Sequence, residues 1–237
     1  EYILSWDMVE EGVAWFSLQG SPGLSVAVRV EPRSYVAVWT SQSAPSAMLT
    51  GQVIAGISVT VRNGSNWTWP YTGTNRVRLS YHWLDQGGRT ILWDGLRTRL
   101  PYDLNIGEEV EVTATVRAPD VPGTFTLVWD MVEEGVAWFC LRGSPTISRT
   151  VRIDPRTYEV AWLRLSTPTT MVAGDATTDI SITLRNDGNW TWPSHGANPV
   201  HLSSHWLNSA RQTVAWDGPR VSLPANLPAG QEVLEER

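Results

Sequence analysis

The chain has 237 residues, of which 42% are hydrophobic and 18% charged, and its formal net charge at pH 7 is −6. These proportions are ordinary for a globular protein that buries a core. The negative charge argues against a nucleic-acid-binding surface, which needs a concentrated basic face, and no apolar run approaches the roughly 20 residues that span a bilayer.

The first recognisable element, residues 6–16, has the sequence WDMVEEGVAWF, and residues 129–139 repeat it letter for letter. The separation of 123 residues holds for all fourteen tryptophans, which fall into seven pairs without an insertion. A period of this length far exceeds that of solenoid units, so each repeat is expected to be a complete domain. The tryptophan pairs are Trp6/Trp129, Trp15/Trp138, Trp39/Trp162, Trp67/Trp190, Trp69/Trp192, Trp83/Trp206 and Trp93/Trp216.

The repeat divides the chain into three pieces. Residues 35–156 make one complete unit, whereas residues 1–34 match the end of a unit and residues 157–237 match its beginning. Together the two flanking pieces would make a second unit that lacks the equivalent of residues 115–123. Nine residues span at most roughly 30 Å, so both pairing within one chain and pairing between chains are open.

The segments within one unit have the pattern of β-strands. Ile54–Arg62 is rich in β-branched residues, and Glu109–Arg117 alternates between apolar and polar side chains. The alternation in Val77–Trp83 places every second residue, including Trp83, on one face, and His82 on an opposite, solvated face. Turn sequences separate these segments, and no helical periodicity is evident. The pattern predicts an antiparallel, immunoglobulin-like β-sandwich.

Two motifs resemble the four-tryptophan (FW) immunoglobulin-like domain. Residues 63–70 (NGSNWTWP) and 186–193 (NDGNWTWP) are similar to its N-x-G-x-x-x-W-P signature. Residues 118–129 (APDVPGTFTLVW), followed by Gly135 and Phe139, are similar to the end of that domain. The family is best known from a selective-autophagy receptor and is frequent in bacterial extracellular proteins. The resemblance covers nearly the whole unit and implies the fold more specifically than the function.

The tryptophans are the main candidates for a core without a disulfide. The resemblance implies that the pairs at 69/192 and 129/6 are core residues, and the alternation around residue 83 adds the pair at 83/206. Truncation of a buried tryptophan costs about 3–5 kcal/mol, which is a reason for both copies to keep it. The expected core tryptophans are Trp6, Trp69, Trp83, Trp129, Trp192 and Trp206.

No pattern in the sequence indicates an enzyme. The acid pairs Glu10-Glu11 and Glu133-Glu134 are interpreted as charged hairpin turns, because adjacent strand residues point to opposite faces. No histidine has a metal-ligand spacing shared by both copies. Cys140 is the single cysteine and corresponds to Ser17 in the other copy, which excludes an intrachain disulfide. We therefore expect no catalytic residue, no metal site and no cofactor.

Four positions could present tryptophan rings to a ligand. Trp93-Asp94 and Trp216-Asp217 lie where a strand meets a turn, so a ring could be displayed with a carboxylate beside it. Trp67 and Trp190 are further candidates, although an extended segment would turn them inward with the core tryptophans that follow. Packing and a carbohydrate-binding platform are both open for these residues.

The leading functional prediction is structural. A non-catalytic repeat that is cut out of frame would expose strand edges, and such edges recruit strands from another chain. The expected partners are other copies of the chain, in a bacterial extracellular filament, stalk or surface layer. Short junctions at Glu31–Arg33 and Asp154–Arg156 without flexible linkers favour rigid stacking. The alternatives are an accessory module that binds a cell-surface glycan and, by fold analogy, a partner-binding adaptor.

Overall fold

The computed structural model describes residues 1–174 and 180–236. Within them the chain forms 21 β-strands and two short 3-10 helices, and no helix is long and apolar enough to cross a membrane. The prediction of an all-β protein is therefore confirmed.

Residues 1–34 form strands without a core. Their elements are β1 (Tyr2–Trp6), β2 (Val9–Glu10), β3 (Ala14–Trp15), a 3-10 helix (Phe16–Gln19) and β4 (Leu24–Val28). β1 pairs with β4 along its full length, and β2 pairs with β3. The structure describes all of these residues, and none of them is buried.

Residues 35–156 contain two sheets. Their elements are β5 (Ala37–Gln42), β6 (Ala47–Leu49), β7 (Val53–Asn63), β8 (Val77–Leu84), β9 (Thr90–Leu92), β10 (Thr98–Arg99), β11 (Glu109–Arg117), β12 (Gly123–Glu133), β13 (Ala137–Trp138), a 3-10 helix (Cys140–Arg142) and β14 (Ile147–Asp154). The first sheet has the order β10–β8–β12–β14–β6, with β9 beside β8 and β13 beside β12. The second has the order β11–β7–β5. All pairs are antiparallel except β14–β6.

The two sheets enclose one hydrophobic core because their strands alternate between apolar and polar residues. Along β11, every second residue from Val110 to Val116 is buried, while the residues between them are exposed or half-buried. Two bonds join the layers: the Trp83 indole N–H donates to the Arg117 carbonyl, and the Arg117 N–H donates to the Tyr81 hydroxyl, both at 2.9 Å. This layered arrangement is consistent with a β-sandwich.

Residues 157–174 and 180–236 form three smaller sheets. Their elements are β15 (Val160–Ser166), β16 (Ser181–Asn186), β17 (His201–Leu202), β18 (Trp206–Leu207), β19 (Thr213–Ala215), β20 (Val221–Ser222) and β21 (Glu232–Glu236). β16 lies between β15 and β21, β17 pairs with β20, and β18 pairs with β19. A small buried cluster contains Leu184, Trp192, Leu223 and Leu227.

The segment after residue 199 shows the effect of a missing neighbour. Residues 200–207 correspond in sequence to β8, which pairs with β12 over eight residues. The sequence equivalent of β12 lies in residues 1–10, and no strand of residues 1–34 pairs with a strand of residues 157–174 or 180–236. The continuous strand seen in β8 is therefore reduced to the two-residue strands β17 and β18.

Candidate functional site

Residues 1–34 expose a row of large apolar side chains, here called the N-terminal face. Trp6 is 63% exposed, whereas its sequence counterpart Trp129 is completely buried. A patch of this kind on a soluble protein usually marks a site of interaction. The N-terminal face consists of Tyr2, Leu4, Trp6, Met8 and Phe16, whose counterparts Phe125, Leu127, Trp129, Met131 and Phe139 are all buried.

Residues 157–236 have an open groove where the central unit is filled, here called the C-terminal groove. It has a volume of about 310 Å³, and the residues that line it include Trp162, Trp192, Val200, Leu202 and Leu223. In the central unit, the Phe139 ring packs edge-on against Trp69, the counterpart of Trp192, with 5.2 Å between ring centroids. The C-terminal groove therefore lacks side chains of the type that the N-terminal face carries.

These exposures correct two of the predicted core positions. Trp69, Trp83 and Trp129 are fully buried, and Trp192 is nearly so. Trp6 and Trp206 are instead 63% and 57% exposed. The reason is that each lies on a strand whose covering strand belongs to the other terminal piece.

Among the described residues, two polar groups at the second junction do not have the carboxylate contact of their counterparts. In the central unit, the buried Glu133 accepts hydrogen bonds from Arg33 Nη1 at 2.8 Å and from the Tyr35 hydroxyl at 2.7 Å. The counterparts of that arginine and tyrosine are Arg156 and Tyr158. Arg156 Nε is buried and has no hydrogen-bond partner among the described residues, and Tyr158 is exposed.

The carboxylates that correspond to the missing partners lie in residues 1–34. Glu10 is the counterpart of Glu133, and Glu11 is the counterpart of Glu134. Both glutamates are exposed. The carboxylate that corresponds to the partner of Arg33 and Tyr35 is thus free of that contact in residues 1–34.

The junction before each unit is fixed by one recurring set of bonds. Asn66 accepts a hydrogen bond from the Ser34 N–H at 2.9 Å and donates to the Pro32 carbonyl at 3.0 Å. The Trp67 indole N–H donates to the Ser34 carbonyl at 2.7 Å, and the Arg33 guanidinium lies 4.5 Å from the centre of the Trp67 ring. Trp67, a candidate for ligand binding in the sequence, is therefore engaged in its own junction.

The second junction repeats this set. Asn189 bonds to Thr157 and Pro155 in the same way, at 2.9 and 3.0 Å. The Trp190 indole donates to the Thr157 carbonyl at 2.9 Å, and the Arg156 guanidinium lies 4.7 Å from the Trp190 ring centre. The chain thus enters two units by the same local structure.

Replacement of Asn66 by alanine is expected to loosen the first junction without unfolding the central unit. The change removes two linker hydrogen bonds at an exposed side chain, and each such bond contributes about 0.5–1.5 kcal/mol. Hydrogen exchange at the Ser34 amide should accelerate by about tenfold, the factor that corresponds to 1.4 kcal/mol. Thr68→Ala, which touches Asn105 instead of the linker, is the matched control. Unchanged exchange at Ser34 in the Asn66→Ala variant would contradict this role.

Trp93 and Trp216 lie against histidines. The Trp93 and His82 rings stack at 4.0 Å, and the Trp216 and His205 rings stack at 3.9 Å. The turn after Trp93 requires glycine at position 95, because a Cβ there would lie 2.5 Å from the Tyr81 carbonyl oxygen.

The carboxylates beside these rings form local ion pairs. Asp94 pairs with Arg97 at 2.5 Å, and Asp217 pairs with Arg220 at 2.9 Å. The carboxylates are exposed, but each already has a cationic partner three residues away. One face of each neighbouring tryptophan ring covers a histidine, so neither ring presents both faces to solvent.

The structure assembles a polar cluster that sequence spacing did not reveal. His82 on β8, Asp130 on β12 and Cys140 after β13 place their ligand atoms within 4.8 Å of one another. The prediction that His82 lies on a solvated face is wrong, because it is buried beneath Trp93 and Trp138. The sequence did contain one signal for this cluster. A histidine and an aspartate recur at equivalent positions of the two repeats, as the pairs His82/His205 and Asp130/Asp7.

Asp130 organises the cluster. Its carboxylate is completely buried, accepts hydrogen bonds from the Met131 and Cys140 N–H groups, and lies 3.4 Å from His82 Nε2. Burial, and next the hydrogen bond to Asp130, raise the pKa of the Cys140 thiol to about 12. The thiol is therefore protonated at neutral pH and is a poor nucleophile there.

Comparison with known proteins identifies no family for the chain. No protein-family model matches the sequence, and no curated protein shows significant similarity to it. Among solved structures, one that aligns is the sporulation control protein Spo0M from Bacillus subtilis. The alignment covers 66% of this chain and 68% of the Spo0M chain, at 9% sequence identity and a TM-score of 0.28. This degree of likeness carries no inference about function.

Proposed function

We propose that this chain is a non-catalytic structural protein that assembles by strand complementation. Residues 1–34 of one copy complete the unit begun by residues 157–237 of another, and the completed unit has the FW-type immunoglobulin-like fold. The product is an extracellular filament, stalk or surface layer of a bacterium. The observation that supports this most directly is the contrast between exposed Trp6 and buried Trp129, two positions with the same local sequence.

The central unit supplies the expected register of the joint. β12 pairs with β8 so that Thr126 is opposite Leu84 and Glu133 is opposite Val77. When this register is shifted by the repeat length of 123 residues, Ile3 of one copy lies opposite Leu207 of the next, and Glu10 lies opposite Val200. The same transfer brings Trp6, Met8 and Phe16 into the C-terminal groove.

Both apolar burial and charge favour this joint. Complete burial of one large apolar side chain stabilises a structure by about 1.5–3 kcal/mol relative to exposure, and the N-terminal face offers five such side chains. Glu10 would meet Arg156 and Tyr158 of the next copy, as Glu133 meets Arg33 and Tyr35. By that counterpart, the Arg156 guanidinium would donate to Glu10 through Nη1, as Arg33 does to Glu133.

The proposed contact is not limited to a pair of copies. One copy contributes the N-terminal face and its neighbour contributes the C-terminal groove, so the contact is head-to-tail. Contacts of this type form closed rings or open filaments, depending on the rotation between neighbours. A chain that carries one face and one groove can therefore add copies at both ends.

The test is the state of the purified chain in solution, by light scattering and negative-stain imaging. We expect long polymers, and we expect Met8→Arg to reduce them to the 26.3 kDa monomer, because an unpaired charge would be buried at the joint. Leu18→Arg is the matched control, since Leu18 and its counterpart Leu141 are both exposed. It should polymerise like the unmodified chain.

Two results would contradict the proposal. One is a stable monomer of the unmodified chain at high concentration. The other is an equal loss of assembly in the Met8→Arg and Leu18→Arg variants. In either case binding of cell-surface glycan would become the function to test, with Trp93 and Trp216 as the first substitutions.

A further inference from the structure

The cluster of His82, Asp130 and Cys140 has a fixed internal geometry. His82 Nδ1 contacts the backbone carbonyl oxygen of Trp93. A carbonyl oxygen only accepts hydrogen bonds, so Nδ1 carries the hydrogen and donates it. His82 Nε2 is thereby directed at Asp130 Oδ2, at 3.4 Å.

Two electron-rich atoms then face each other in a buried site. With Nδ1 protonated, the Nε2 of a neutral imidazole presents a lone pair, and both oxygens of the Asp130 carboxylate are acceptors. Within the described residues, His82 is the one side chain that forms an ion pair with Asp130. A buried carboxylate needs a compensating positive charge. A metal ion held between the two side chains would supply that charge.

We propose that His82 Nε2, Asp130 Oδ2 and Cys140 Sγ bind one divalent metal ion of the zinc class. A set of one nitrogen, one oxygen and one sulfur ligand suits Zn²⁺ and its substitute Co²⁺. In a tetrahedral zinc site with bonds near 2.0 Å, nitrogen and oxygen ligands lie roughly 3.3 Å apart. The observed separation of 3.4 Å between Nε2 and Oδ2 matches this distance.

The surroundings of the three ligands also suit a metal. A metal-bound histidine usually donates its other N–H to a carbonyl or a carboxylate, which fixes the ring, and the Trp93 carbonyl has that position here. The rings of Trp93 and Trp138 lie 4.0 and 4.5 Å from the His82 ring and limit access of water. On binding, the Sγ–H bond of Cys140 breaks, a sulfur–metal bond forms, and the proton leaves to solvent.

The chain contains a comparison for this site. The counterparts of the three ligands are His205, Asp7 and Ser17. Ser17 Oγ donates a hydrogen bond to Asp7 Oδ2 at 2.5 Å, so a hydroxyl replaces the soft sulfur ligand there. We therefore expect one metal site in each chain, in residues 35–156.

The test is titration of the full, reduced chain with Co²⁺, followed by displacement with Zn²⁺. The expected result is one equivalent of bound cobalt, with the thiolate-to-cobalt charge-transfer absorption that a sulfur ligand produces. Zn²⁺ should abolish that absorption and protect Cys140 from a thiol-specific reagent. Cys140→Ser should remove the absorption and weaken metal binding by more than about tenfold. This variant should fold, because the chain already has serine at the equivalent position 17.

Specific results would overturn the proposal. Absence of cobalt absorption in the unmodified chain would exclude a site in which Cys140 is a metal ligand. Equal metal affinity in the Cys140→Ser variant would place the metal elsewhere. Retained reactivity of Cys140 in saturating Zn²⁺ would exclude sulfur as a ligand. The outcome is independent of assembly, since all three ligands belong to the central unit.

Discussion

Oxidation of a variant with Ile3→Cys and Leu207→Cys, in a Cys140→Ser background, is expected to give a ladder of covalent oligomers. The two positions face each other in the register transferred from Thr126 and Leu84. Opposed residues in antiparallel strands have Cα atoms about 4.5–5.5 Å apart, and disulfides form over about 4.4–6.8 Å. The ladder would be read on a non-reducing gel and should collapse to monomer on reduction.

The matched control moves one cysteine by two residues along its strand, from position 3 to position 5. Ser5→Cys with Leu207→Cys places the cysteines diagonally, about 7–8 Å apart, which is beyond the range of an unstrained disulfide. That variant should polymerise without covalent cross-links. A cross-linked monomer in the Ile3 and Leu207 variant would show closure within one chain and contradict assembly between copies.

The second large effect concerns two tryptophans with identical flanking residues. Trp129→Ala is expected to lower the free energy of unfolding of the central unit by about 3–5 kcal/mol, because it empties a completely buried site. That loss is a large part of the 5–15 kcal/mol by which a typical domain is stable. Trp6→Ala should change the stability of the dilute monomer by less than about 0.5 kcal/mol, as exposed positions usually do.

Urea unfolding followed by circular dichroism, below the concentration of assembly, distinguishes the two variants. At higher concentration the Trp6→Ala variant should lose assembly, because its indole belongs to the N-terminal face. Equal destabilisation of the dilute monomer by both substitutions would mean that Trp6 is buried within a single chain, and would contradict the exposed N-terminal face.

The all-β class was predictable because it depends on local patterns. Alternation with period two places Val77, Leu79 and Tyr81 on the buried face of β8, as expected. The exposure of Trp6 was not predictable, since burial depends on a neighbouring strand that the same chain does not supply at that place. Identical local sequences at residues 6–16 and 129–139 thus have different surroundings.

The errors at individual sites have the same origin in non-local contacts. His82 is buried because the turn that carries Trp93 lies over it, eleven residues further along the chain. Its approach to Cys140 requires β8, β12 and the segment after β13 to be neighbours. The contacts of Trp67 with Ser34 and Arg33 of the linker are also non-local. Period and spacing contain no information about these contacts.

The recurring junction has a consequence for symmetry. Asn66 with Trp67, and Asn189 with Trp190, hold the preceding linker by the same bonds at nearly the same lengths. The linker before each unit is therefore held against that unit in the same way at both places. In the proposed assembly, a step repeated between successive units would generate a helix whose screw axis relates single 123-residue units and not only whole chains.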